Sequence, residues 1–204
     1  MPHYEAILFD FDGVLLDSEP IHFACWQEVL VPLGIDLKWE TYRDHCIGVA
    51  DCDMAEFLAS RSAQVVSAER IWAEYPRKNL KYLERVAQQP PFPDATRRLV
   101  PELSRSYKLA VVSSSGRRDV EPLLVAGGLR PHFDAVVCGE DVARHKPDPE
   151  PYLLAARQLG ITTALVVEDS GPGVASAQAA GFDVLRIDDP NRLAHALTEH
   201  LNHG

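Results

Sequence analysis

From residue 92 onward the chain alternates between short β-rich apolar runs and helical stretches, and no other feature narrows the choice of fold so far. The runs fall at residues 108–113, 135–138, 164–167 and 184–187. Each but the last is followed by a helical stretch with start or stop signals such as Gly127-Gly128 and Gly181. Strand, helix and strand in repetition is the pattern of parallel crossovers, in which helices cover both faces of one sheet. One more apolar run, residues 5–9, opens the chain and leads directly into Asp10-Phe11-Asp12-Gly13. Between residues 19 and 90 no strand is expected. Helical spacing occurs instead over 22–33, 39–46, 51–61 and 67–88, with Ser67 as a candidate N-cap and Pro90-Pro91-Phe92-Pro93 closing the series. The expected architecture is therefore α/β, a doubly wound, Rossmann-like parallel core of residues 1–16 and 92–204 with a small all-helical domain, 17–91, inserted after the first strand.

A chain of 204 residues is long enough to bury a real apolar interior in such a core. Its formal net charge of -10, from 30 acidic and 20 basic residues, argues against nucleic acid or an anionic membrane surface as partner. A small soluble partner fits better, and no protein partner is indicated. No apolar run is long enough to span a bilayer, and the amino terminus lacks a basic start followed by an apolar core, so a cytoplasmic location is expected. Cys25, Cys46, Cys52 and Cys138 show no C-x-x-C spacing, and neither a zinc site nor a disulfide frame is expected.

In a doubly wound sheet, ligands bind beyond the carboxyl ends of the strands, so the polar residues just after each apolar run are the candidates for chemistry. Asp10 and Asp12 follow the first run, Ser113, Ser114 and Ser115 the second, Lys146 lies beyond the third, and Glu168 and Asp169 follow the fourth. Asp10 and Asp12 are two apart, so in extended backbone their side chains share a face, and Gly13 allows a sharp turn beneath them. Each group alone has a plainer reading. The acids make an ordinary β-turn; Ser113–Ser115 make a strand exit and helix N-cap, which for Ser115 is the better reading. Lys146 reads as a loop lysine ahead of an Asp148 cap, and Glu168-Asp169-Ser170 as a capping cluster. These readings leave unexplained why all four fall at strand ends in one crevice. The negative charges of Asp10, Asp12 and Asp169 would be balanced by the Lys146 ammonium and a magnesium ion, which suits hard oxygen ligands. In that setting Asp10 is the candidate nucleophile on phosphorus and Asp12 the alternating general acid and base. The Ser113 hydroxyl and the amides near Ser115-Gly116 would hold phosphate oxygens.

Taken in order, Asp10-Phe11-Asp12-Gly13-Val14, Ser113, Lys146-Pro147-Asp148-Pro149 and Glu168-Asp169-Ser170-Gly171-Pro172-Gly173 resemble the four motifs of the haloacid dehalogenase superfamily of phosphohydrolases, over nearly the whole chain. The resemblance implies a metal held by the Asp10 carboxylate, the Asp12 carbonyl and Asp169 with Glu168 nearby, and a phosphoryl group bound by Ser113 and Lys146. Retention of Asp12 implies phosphoryl transfer and not dehalogenation. The insertion resembles the helical cap of the β-phosphoglucomutase-like branch, with Asp17-Ser18-Glu19 as hinge and His22 matching a cap histidine. Gly48-Val49-Ala50 resembles the substrate loop, but Asp51 stands where the mutases carry an arginine. The lysine expected after the serine motif is Gly116, for which Arg117, Arg118 or Lys78 would have to compensate. The implied activity is a magnesium-dependent phosphatase acting on a small phosphorylated metabolite, a sugar or sugar-alcohol phosphate, through an aspartyl phosphate. The alternatives are a hexose-phosphate mutase and, outside catalysis, a receiver-like phospho-acceptor switch. For the substrate or phosphate the candidates are Gly13, Ser114, Ser115, His22, Asp51 and Lys78.

Overall fold

Five strands account for the apolar runs: β1 Ala6–Phe9, β2 Lys108–Val112, β3 Ala135–Val137, β4 Ala164–Glu168 and β5 Asp183–Arg186. All pair in parallel, in the order β3-β2-β1-β4-β5. The computed structural model describes residues 4–47, 51–61 and 66–203 and, within them, no side chains for 51–53 and 203. It divides into two compact units, Met1–Asp17 with Pro90–Gly204, and Ser18–Gln89. No helix among the described residues is long and apolar enough to cross a membrane.

The helical unit contains α1 Glu19–Leu30, α2 Trp39–His45, α3 Asp51–Arg61, α4 Ala68–Trp72 and α5 Tyr75–Gln88. It has a core of its own around Trp26, Leu30, Tyr42, Met54 and Ile71. Ser67 caps α4 by accepting from the Arg70 amide. The helix expected over 67–88 is broken at Ala73-Glu74. Pro76 sits in the first turn of α5; in an unbroken helix its ring would meet the Trp72 carbonyl and leave that carbonyl without a donor. The helix expected over 22–33 starts earlier, at Glu19, and passes at Val31 into a 3-10 turn that contains Pro32.

Three expected substrate residues, His22, Asp51 and Lys78, belong to this unit. Lys78 is buried, with its ammonium 5.4, 5.5 and 6.0 Å from the ring centroids of Trp26, Tyr75 and Tyr82. His22 stacks on Tyr82 with centroids 3.9 Å apart, and burial, aided by the Lys78 charge, pushes its pKa down to about 3. An unfolded chain binds a proton at His22 below pH 6.5 and the folded chain does not until about pH 3, so stability falls as pH drops through that window. At pH 5 the loss from this one group is about 2 kcal/mol. The three tryptophans, Trp26, Trp39 and Trp72, all lie in this unit. Urea titrations followed by their fluorescence at pH 7 and pH 5 should therefore show a loss of that size, and His22→Phe should remove it. Gly48, Val49 and Ala50 and the side chain of Asp51 lie outside the described residues.

In the core unit, α6 Asp94–Leu103, α7 Arg117–Ala126, α8 Glu150–Leu159, α9 Gly171–Ala179 and α10 Leu193–His203 flank the sheet. β1 is buried along its whole length, as a central strand covered on both faces must be. One core cluster joins Leu8, Val112, Val137 and Val166 of the sheet to Tyr152 and Ala155 of α8 and Ala177 of α9. The outer strand β5 ends in the charged residues Asp183 and Arg186, which discourages further strand addition at that edge. Where the chain leaves and re-enters the core the two crossing points are joined, since the Asp17 amide donates to the Pro91 carbonyl at 2.9 Å.

Register positions the site. Phe9 is paired with Val111 on one side and Val167 on the other, so Asp10, Val112 and Glu168 emerge in one row at the carboxyl edge. β4 runs one residue longer than the apolar run because the Glu168 carbonyl still accepts from the Ile187 amide at 2.8 Å.

Candidate active site

Lys146, from the loop after β3, inserts its ammonium into that row. It donates to Asp10 Oδ1 at 2.5 Å, Glu168 Oε1 at 2.6 Å and the Val112 carbonyl at 2.9 Å. All three partners are set by strand register, so the lysine reads the alignment of β2, β1 and β4 at once. Burial works against its charge, but the Asp10 and Glu168 carboxylates outweigh that and raise its pKa. Burial pushes the Asp10 carboxyl well above the usual range against the pull of the Lys146 ammonium, and the Glu168 charge adds to the push.

Glu168 is fully buried and extensively bonded. Besides Lys146, its Oε1 accepts from the Tyr152 hydroxyl at 2.7 Å. Its Oε2 accepts from the amides of Asp169 and Ser170 at 3.0 and 3.2 Å and from the Ser170 hydroxyl at 3.1 Å. Burial pushes its pKa up, but the charge and hydrogen bond of Lys146 and the Tyr152 hydroxyl outweigh it and hold the group ionised. Ser170 also caps α9 by accepting from the Gly173 amide at 3.1 Å. The space at residue 173 is taken by that carboxylate: a Cβ there would stand 1.8 Å from Glu168 Oε1, so only glycine fits. Gly13 is similarly constrained, with φ at 78° and Asp169 Oδ2 only 2.2 Å from where a Cβ would be.

Asp10, Glu168 and Asp169 each present a carboxylate oxygen, and these lie within 4.8 Å of one another. One ammonium cannot balance three carboxylates. Burial, with the adjacent Glu168 charge, pushes Asp169 up to about 6, the response of an acid awaiting a further positive charge. An all-oxygen donor set with surplus negative charge fits a hard divalent cation.

Asp12 is held apart from this row. Its Oδ2 accepts from the Ser115 hydroxyl at 2.8 Å, and the Ser115 amide donates to Ser113 Oγ at 3.0 Å. Burial raises its pKa, with the Ser115 hydrogen bond opposing. Ser115 is thus not the N-cap of α7, contrary to the plainer reading of the sequence. The cap position belongs to Gly116, and the first helical amide, that of Arg117, is satisfied from another loop by both oxygens of Glu140. Asp148 does not occupy the N-cap position of α8 either. Pro149 does, with Asp148 Oδ1 accepting from the Glu150 amide at 2.9 Å. Arg117 cannot stand in for the missing lysine, because its guanidinium is held by Glu121, Asp141 and the Val136 carbonyl.

The core therefore brings together Asp10, Asp12, Gly13, Ser113, Ser115, Lys146, Glu168 and Asp169, while Ser114 is exposed on the same loop and His22 and Lys78 belong to the helical unit. Tyr152 escaped the sequence reading. Its place six residues after Lys146, on the apolar face of α8, gives the signal of a core aromatic and nothing more.

The sequence matches the haloacid dehalogenase-like hydrolase family over residues 7–187. The chain belongs to that family. It is a hydrolytic enzyme on the family's parallel α/β core. Among family relatives, the fructose-1-phosphate phosphatase YqaB of Escherichia coli K12 is 30% identical, with 90% of this chain and 96% of that protein covered. The phosphorylated carbohydrates phosphatase of Thermotoga maritima is 31% identical over 88% of this chain and 82% of its own length. In structure, CbbY from Rhodobacter sphaeroides in complex with phosphate superimposes with a TM-score of 0.66 at 30% identity, covering 90% of this chain and 86% of that one.

Proposed function

We propose that this family member is a magnesium-dependent phosphatase of small phosphorylated sugars or sugar alcohols, working through an aspartyl phosphate on Asp10. The observation that carries it is the separation of two acids on one strand end: Asp10 is paired with the Lys146 ammonium, whereas Asp12 accepts from the neutral Ser115 hydroxyl. Neighbouring carboxyls in different surroundings take different roles. The Asp10 carboxylate attacks phosphorus, the ester P–O bond breaks, and the leaving oxygen takes the Asp12 proton. Water then attacks the aspartyl phosphate and gives a proton back to Asp12, which releases inorganic phosphate and restores Asp10. Magnesium, held by Asp10 and Asp169 with Glu168 and the Asp12 carbonyl, would screen the phosphoryl oxygens. Lys146 supplies a second positive charge, and Ser113 and the following amides orient the group.

The relatives named as phosphatases of fructose 1-phosphate and of phosphorylated carbohydrates support the sugar-phosphate class. The helical unit supplies the surface for choosing among such substrates. A mutase needs a cation for a second phosphate, and Arg117 is already occupied by Glu121 and Asp141. Purified protein given a panel of sugar phosphates should release inorganic phosphate faster than any isomerised sugar phosphate. A chelator should silence it and added magnesium restore it. In the same samples magnesium at a hundred times its Kd should stabilise the fold by about 2.7 kcal/mol, read as a higher Tm. Isomerised product outrunning phosphate, or activity indifferent to the chelator, would overturn the reading.

A further inference from the structure

Lys146 comes to the reaction with no hydrogen to spare. An ammonium has three N–H donors, and here they go to Asp10 Oδ1, Glu168 Oε1 and the Val112 carbonyl. To meet a phosphoryl oxygen the lysine must release one of the three, and a buried acceptor left without a donor is costly. Asp10 is the nucleophile and has to stay aligned, and the Val112 carbonyl belongs to the backbone at the end of β2. Glu168 Oε1 is the acceptor that can be given up. A second donor, the Tyr152 hydroxyl, already sits on that same oxygen at 2.7 Å.

Tyr152 touches both members of the pair it would part. Its ring centroid lies 5.0 Å from the Lys146 ammonium, an attraction that persists while the hydrogens of the lysine are redirected. Tyr152 and Glu168 are both fully buried, so solvent does not reach the carboxylate to replace the hydroxyl. On the other oxygen, Oε2, the amides of Asp169 and Ser170 and the Ser170 hydroxyl hold the group in place. The place of Tyr152 in the core cluster would be served as well by phenylalanine; the hydroxyl is what the site uses.

We infer that Tyr152 is a positioning residue for phosphoryl transfer: its hydroxyl keeps Glu168 Oε1 bonded while Lys146 turns one N–H from that oxygen to the phosphoryl group. The inference deepens the phosphatase reading and rests on it. Tyr152 acts through Lys146 and Glu168 and has no contact with substrate to make. Without the hydroxyl, every turn of the lysine would strip Oε1 of its remaining donor, and the ammonium would stay clamped on Glu168.

Tyr152→Phe tests this, since it keeps the ring and removes only the hydroxyl. With magnesium and the sugar phosphate that the wild type hydrolyses fastest, kcat/KM of the full chain should fall about tenfold. The Ki of inorganic phosphate, which needs the same turned ammonium, should rise by about the same factor. The magnesium concentration for half-maximal activity and the Tm of the free chain should stay close to those of the wild type, because Lys146 alone still satisfies Glu168 Oε1 at rest. An unchanged kcat/KM, an unchanged phosphate Ki, or a loss of the fold or of magnesium affinity in their place overturns the positioning role of Tyr152. A wild type that releases phosphate from no sugar phosphate overturns the phosphatase reading beneath it.

Discussion

Asp10→Asn is expected to reduce phosphate release by about ten-thousandfold or more, the loss typical when a covalent nucleophile is removed. Asparagine has the same shape but cannot accept a phosphoryl group, and it takes one negative charge from the cation site. The same change should not weaken the fold. Asp10 carries a raised pKa in the folded state, so its ionised form destabilises the native chain at neutral pH, and Lys146 keeps Glu168 as partner when Asp10 is gone. Thermal melts of the variant without metal should match or exceed those of the wild type. Substantial turnover, or a melt well below the wild type, would contradict the assignment.

Lys146→Met should behave in the opposite way in stability. The Lys146 side chain is 5% exposed and those of its partners Asp10 and Glu168 are 13% and 0% exposed, so its removal strands buried negative charge. Breaking a buried pair from one side costs about 3–5 kcal/mol, and here two acids are left. In a chelating buffer the variant should lose stability of that order, measured by denaturant titration followed by far-ultraviolet circular dichroism, along with its activity. A loss under about 1 kcal/mol would mean that Tyr152 and the amides around Glu168 suffice without the lysine. The two variants alter one row of three groups and should separate its two demands, since both are expected to abolish turnover and only Lys146→Met is expected to weaken the fold.

Much of this site was legible because its signals are local. An apolar run that stops at an acid, a serine or an acidic pair can be read within ten residues, and a parallel sheet gathers such stops along one edge. Gly13 and Gly173 were legible as turn and motif residues, although the reason glycine is required, the carboxylates of Asp169 and Glu168 in the space of a Cβ, was not. Helix limits failed where proline acted, at Pro32 and Pro76, because apolar periodicity runs through a break that backbone sterics impose.

Sequence by itself determined the class of fold, the strand ends to within one residue and the identity of the acids, serine and lysine, since each follows from the periodicity and chemistry of neighbouring residues. Only the tertiary structure decided which of them meet. Asp12 and Ser115 are 103 residues apart, Lys146 and Asp10 136 apart, and Arg117 and Glu140 23 apart across two loops. Such pairs exist because β1 lies between β2 and β4 in a fixed register, and strand order is a property of the whole packed sheet that no local stretch of chain encodes.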